Sequence, residues 1–217
     1  ENTFKAVFSN VNKTELNGNK INFKADEKET FENYVKSVNG LIVTNTYVSP
    51  KIDLSKNLKI EVPKDVLKKV TKNVQIQLMR NGAKFGETKI VNVDDFDQNG
   101  NYTLNFNQID KTDFDGNDYT YEIKLAKDIK GYEPKEIKDG ILLEKTIEKG
   151  TEEVSLEYRG GKVRPNVVVE LLQDGKVIKT ETITNNKLTF NVDLNDKFGH
   201  EYKYEVKVKN ENEINKK

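Results

Sequence analysis

The sequence predicts an all-β chain of tandem sandwich units, and three observations carry that prediction. Short runs of alternating apolar and polar residues recur along the 217 residues, with the period of a strand that buries one face. Asn-Gly and Asp-Gly pairs sit between such runs, the chemistry of two-residue hairpin turns. Long segments also repeat, so whole units rather than single strands are duplicated.

Taken in order, FSNVNKTELNGNKINF (8–23) lies without a gap over FNQIDKTDFDGNDYTY (106–121), matching aromatic, apolar, Lys-Thr and turn positions. VDLNDKFGHEYKY (192–204) is a third copy with a shorter turn, its Tyr202 and Tyr204 standing opposite Tyr119/Tyr121 and Ile21/Phe23. Ile21, Phe23, Ala25 and Glu27 then share one face at period two, which places an acid in a core row. In GLIVTNTY (40–47), Leu41, Val43 and Tyr47 alternate inward, and Asn45 stands in the same row, where an unpartnered amide would be costly.

NLKIEV (57–62) begins the middle unit, and PKDVLKKVTK (63–72) predicts one short helix with Val66, Leu67 and Val70 on one side. NVQIQLMRNGAKFGETKI (73–90) and NVVVELLQDGKVIKTETI (166–183) each read as strand, turn, strand. GILLEKTI (140–147) closes the middle unit. It is expected to pair with YTYEIKL (119–125) and to supply Ile141 and Leu143 to the core.

Three units follow from this pattern: residues 1–48 as the C-terminal half of one, 49–148 as a complete unit, and 149–217 as a unit lacking its last strand. Charged stretches at 49–56 and 147–153 read as linkers, and the chain reads as a piece of a longer protein. In the third unit the edge of YKYEVKV (202–208) is expected to lie open and to drive head-to-tail or edge-to-edge association, or else to let this unit fray. The polar tail 209–217 is too hydrophilic to cover it.

Composition excludes several functions. Thirty-six basic residues balance thirty-six acidic ones, leaving no net field to attract nucleic acid or an anionic membrane. Cysteine is absent, which removes disulfides, thiol catalysis and thiolate metal sites. No run approaches the roughly 20 apolar residues of a membrane helix, and the first residues are not a signal peptide. DFDQNG (95–100) copies the start of a calcium loop, yet its twelfth position is Phe106 rather than Glu, so a turn is expected and no metal. The one histidine, His200, lies in a turn without an evident nucleophile, so it has a surface role. No cofactor is implied, and the chain does not read as an enzyme.

The succession of VVVELLQDGK, KLTFNVDL, EYKYEVKV, a Gly-Tyr or Asn-Tyr pair (KGY 130–132, ENY 32–34) and finally VTNTY resembles the Cna protein B-type repeat of Gram-positive surface adhesins and pilins. The resemblance implies tandem inverse-immunoglobulin-like β-sandwiches, the first and last incomplete here. It implies an extracellular, cell-wall-associated stalk or spacer that presents a ligand-binding head away from the wall. The alternatives are a module that itself binds a host matrix protein, or a pilin domain. Neighbouring repeats are the implied partners, with a host extracellular matrix protein as a further one.

Many members of that family crosslink themselves, a first-strand Lys attacking a last-strand Asn or Asp with help from a buried Glu or Asp. The amine must be neutral and the acid protonated, and burial shifts both pKa values in those directions. By resemblance Glu27 is the assisting acid and Asn45 the crosslink acceptor, with the donor lysine upstream of Glu1. The corresponding places are read as Ile60, Leu125 and Lys145 in the middle unit, and Leu156 and Val208 in the third. Neither unit forms the bond on this reading, and Lys145 extends to solvent from its strand end.

Overall fold

The computed structural model describes residues 3–210. The chain divides into two compact units, residues 1–53 with 107–119, and residues 54–106 with 120–217.

In the first unit a hairpin joins β1 (Tyr34–Asn39) to β2 (Ile42–Tyr47) in a register that runs from Tyr34↔Tyr47 to Asn39↔Ile42. Val43, Asn45 and Tyr47 are half-buried on one face, as the alternation predicts, whereas Leu41 lies in the turn and is exposed. Extended chain precedes the hairpin, and Ala25 N–H donates to Gly40 O.

The rest of the middle repeat is a sandwich. One layer has four strands, β6 (Asn101–Asp110), β3 (Lys51–Ile60), β9 (Gly140–Lys145) and β8 (Tyr132–Ile137), in that order. The other has β5 (Ala83–Asn92), β4 (Asn73–Arg80) and β7 (Tyr121–Leu125). Leu58, Ile60, Ile76, Leu78, Leu104, Ile123, Ile141 and Leu143 are buried, each from the inward row of its strand. The helix α1 (Lys64–Lys68) is shorter than its apolar pattern predicts: Leu67 is buried, Val66 half-buried and Val70 exposed.

The third repeat follows the same plan. β12 (Lys176–Ile183), β11 (Val167–Gln173) and β14 (Tyr204–Val208) form one layer, and β10 (Lys149–Ser155) with β13 (Lys187–Asp193) forms the other. Val167, Val169, Leu171, Ile183, Phe190 and Val192 are the core, with Val154, Leu156, Tyr204 and Val206 packed against it. Both long hairpins turn where expected, at Asn81-Gly82 and Asp174-Gly175, with positive φ at both residues of each turn.

The structure corrects three expectations. The strand GILLEK does supply Ile141 and Leu143 to the core, but it does not pair with 119–125. It runs parallel to β3, from Asn57↔Gly140 to Ile60↔Leu143, and antiparallel to β8. The β8–β9 hairpin therefore closes the layer opposite β7.

A second correction follows from the first. β7 pairs with β4 and β14 with β11, so in the sheets of the described residues both are edge strands, and the edge at 204–208 is no peculiarity of the third repeat. Outward charges that pair along each strand guard both edges, Glu122 with Lys124 and Glu205 with Lys207. The open edge expected at 202–208 is thus present at β14 but does not follow from a missing last strand, and residues 211–217 of the tail lie outside the described part.

The third correction concerns the charged linkers, most of which are strand. Lys51–Ile60 and Lys149–Ser155 turn Ile52 and Leu54, or Gly150 and Val154, inward, while Lys51, Asp53, Lys149 and Glu153 face water. The ion pairs Lys51–Asp110 and Lys149–Asp193, both 2.5 Å, begin the two strands in the same way.

Candidate functional site

Asn45 and Glu27 meet. Asn45 Nδ2 donates to both carboxylate oxygens of Glu27 at 2.9 Å, and both residues are half-buried. β2 turns Asn45 inward because the register of the hairpin fixes its parity. Glu27 reaches it from the extended segment anchored to the hairpin turn through Ala25.

A cation holds that segment in place. Lys36 is the cross-strand partner of Asn45, and its Nζ donates to Glu27 O at 2.8 Å and to Asp26 Oδ1 at 3.0 Å. Asp26 Oδ1 also accepts from Glu27 N–H at 2.9 Å. The Lys36 hydrogen bond, that backbone bond and the Lys36 charge hold the Asp26 carboxyl below its usual range. Sequence reasoning missed Lys36, although its place directly across the hairpin from Asn45 could have shown it.

The amide nitrogen thus faces the carboxylate, with an acid and a carboxamide in direct hydrogen-bond contact. Lys36 Nζ is taken up by Glu27 O and Asp26 Oδ1, so it serves to hold the segment.

The first and middle repeats align at a constant step: Thr14 and Thr112 open equivalent bridges and Tyr34 and Tyr132 begin equivalent hairpins, each pair 98 residues apart. The same step carries Glu27 to Leu125 and Asn45 to Leu143, so the acceptor place in the middle repeat is Leu143 and not Lys145. Leu143 is fully buried, and its parallel partner is Ile60, the donor place. Lys145 corresponds instead to Tyr47. Its side chain does not extend to solvent: it is 13% exposed, lies over the Tyr132 ring at 5.5 Å and sits 3.6 Å from the Glu148 carboxylate.

In the third repeat, the bond from Leu156 N to Asn186 O matches that from Ile60 N to Gly100 O, and Val208 faces Val169 as Leu125 faces Ile76. Leucine and valine thus hold the places that would carry donor and acid. Two further residues singled out in the sequence serve turns. Asp97 Oδ1 accepts from Asn99 N and Asn101 N at 2.8 and 2.7 Å, so that oxygen closes its own loop. His200 is exposed and pairs through Nε2 with Asp174 Oδ2 at 2.8 Å.

Tandem β-sandwich repeats with a polar pair built into one of them define a modular repeat protein. The Cna protein B-type domain is matched over residues 61–146 and 158–216, and the chain belongs to that family. Among solved structures it is similar to two B repeat units of the collagen-binding protein of Staphylococcus aureus. Identity there is 21% over 93% of this chain and 55% of that one, with a TM-score of 0.47. The chain thus spans about half the length of that structure. A single B repeat unit of the same protein is 23% identical over 74% of this chain and 86% of its own, with a TM-score of 0.37. The Bacillus anthracis TIE protein is 13% identical over 81% of this chain and 34% of its own, with a TM-score of 0.33. No curated protein matches. No helix of the described residues is long and apolar enough to cross a membrane.

Proposed function

We propose that the chain is a spacer segment of a Gram-positive cell-surface adhesin, built of B-type units at 1–48, 49–148 and 149–217, whose first unit is covalently locked in the longer protein that carries its first strand. The unit acts outside the cell, associated with the wall, and chemistry serves mechanics. Asn45 Cγ is the electrophile, Glu27 the proton carrier, and the nucleophile a lysine on the first strand of the same unit, upstream of residue 1. The amine forms a C–N bond to Cγ, the bond to the amide nitrogen breaks, and one ammonia leaves. Glu27 gives a proton to the departing group and takes one from the amine.

The observation that carries this reading is the pair of hydrogen bonds from Asn45 to Glu27. The middle repeat supports it, since Ile60 and Leu143 at the equivalent places are direct neighbours on adjoining strands. A lysine and an asparagine there would be in reach of each other.

Mass spectrometry tests it. The 217-residue chain has the mass of its sequence, while a longer chain carrying the preceding strand is lighter by one ammonia, with Asn45 in a branched tryptic peptide. Glu27→Ala in the longer chain restores the full mass. An unmodified Asn45 in the longer chain ends the crosslink reading. Saturable binding of the 217-residue chain to collagen or fibrinogen would favour a matrix-binding module over a spacer.

A further inference from the structure

The loop Asp196–Glu201 of the third repeat sits where two repeats join, and its contacts are specific. Asn195, only 3% exposed, accepts Glu148 N–H at 3.0 Å on Oδ1, and its Nδ2 donates to Thr146 O at 3.0 Å and to Asp196 O at 2.7 Å. Leu194 N–H donates to Glu148 O at 2.7 Å. The side chain thus ties the end of the middle repeat to the start of the loop, with each of its polar atoms engaged. At the loop tip Gly199 lies against α1 of the middle repeat: a Cβ there would stand 2.6 Å from Val66 Cγ1. Lys69, the residue after α1, lies 3.4 Å from Glu201 at the loop's far end.

The middle repeat carries the same element. Thr112 is buried like Asn195, its N–H donates to Ser49 Oγ at 2.9 Å, and its hydroxyl lies 2.7 Å from Tyr47 Oη. Lys111 N–H donates to Pro50 O as Leu194 donates to Glu148 O. Asp113 and Asp196 close their loops with the same backbone bonds, and Gly116 and Gly199 share a φ of +86°. One difference stands out: a Cβ on Gly116 would meet nothing within 4 Å.

From this we infer that the Asp-x-x-Gly loop is a docking plug, and that its partner is the short helix of the preceding B-type repeat. Asp196–Glu201 is seated on α1. Asp113–Asp118, with Phe114 exposed at its tip, presents the same plug to an α1-like helix. Seating fixes the angle between successive repeats, which a row of sandwiches joined by peptide alone would leave free. The purpose given to the plug rests on the spacer reading. Its geometry does not, so binding to a matrix protein would refute the spacer and leave the plug standing.

The two glycines make the test. Gly199→Ala and Gly116→Ala impose the same backbone strain at the same φ, but only the first drives a methyl into Val66. The chain has no cysteine, so Lys84→Cys and Lys176→Cys on exposed strand positions of the middle and third repeats give unique spin-label sites. A single narrow interlabel distance is expected for the parent and for Gly116→Ala. Gly199→Ala is expected to broaden it and to speed exchange of the Glu148 and Leu194 amides about tenfold. Val66→Ala added to Gly199→Ala should restore the narrow distance, which also shows that the loop still folds. The inference is overturned if Gly199→Ala stays as narrow as the parent, if Gly116→Ala broadens equally, or if Val66→Ala does not rescue.

Discussion

His200 is the one histidine of this chain, and its environment sets the direction in which its pKa moves. The hydrogen bond to Asp174 is the first cause raising its pKa above 6.5, and His200 in turn is the first cause holding the Asp174 carboxyl below its usual value. A folded-state pKa above the unfolded one means that the histidine's contribution is fully present below about pH 6.5 and is lost as pH rises through the raised value. The carboxylate contributes above its own unfolded value and loses that contribution in acid. The pair therefore supports its loop best between the carboxylate range and the raised histidine value. Both side chains are largely solvated, so the effect is small and screened by salt. An NMR titration of the His200 ring should give a pKa above that of a free histidine, and Asp174→Asn should return it to about 6.5. No change on that substitution would show that the contact does not set the value. The sequence placed His200 in a surface turn, but Asp174 is 26 residues away in another turn, and pattern alone brings no such pair together.

Elements show more clearly what was legible. Alternation and duplication revealed the strands, the hairpin turns and the inward rows of Ile141/Leu143 and Val43/Asn45/Tyr47, because these depend on local period. Pairing partners were not legible, because a strand's neighbours depend on contacts distant in sequence. β9 illustrates this, lying beside β3 some 80 residues earlier rather than beside β7. Charged β3 and β10 were read as linkers because only one row of each is buried. The offset of Asn45 was misjudged because Gly40 and Gly140 do not correspond: Gly40 lies in the turn Gly40-Leu41, whereas Gly140 follows the turn Lys138-Asp139 and begins β9. Strand register, not the glycine, shows Leu143 as its equivalent. Gly140 tests the β3–β9 pairing. Its φ is not positive, so alanine would ordinarily be tolerated or stabilise slightly. Here a Cβ would fall 1.8 Å from the backbone oxygen of Asn57, and a strand carbonyl cannot rotate away. Gly140→Ala should therefore destabilise the middle repeat by about 1–3 kcal/mol in urea denaturation. A neutral or stabilising result would mean that β9 does not lie against β3 at this register.

Across the whole molecule, repeats that share a plan differ in how they can resist force. In the first, an acid and an amide are hydrogen-bonded in a half-buried site, whereas the middle and third hold leucine and valine at the corresponding places. A unit with an apolar core and no crosslink is held by side-chain packing and strand hydrogen bonds alone, so it yields when those are broken. A unit whose first and last strands are joined covalently cannot extend between the joined residues. Pulling a longer chain, with the preceding strand restored, through its two ends should therefore separate the repeats into two classes. The middle repeat should unfold as one event, releasing 98 residues at ~3.3–3.6 Å each, or about 330 Å of contour. The first unit should contribute no event of that size while Asn45 is crosslinked. On the proposed role of Glu27, Glu27→Ala should add a second long event and leave the release from the middle repeat unchanged. If the parent and Glu27→Ala chains extend identically, Asn45 carries no load, and the hydrogen-bonded pair is a structural contact rather than the remnant of a lock.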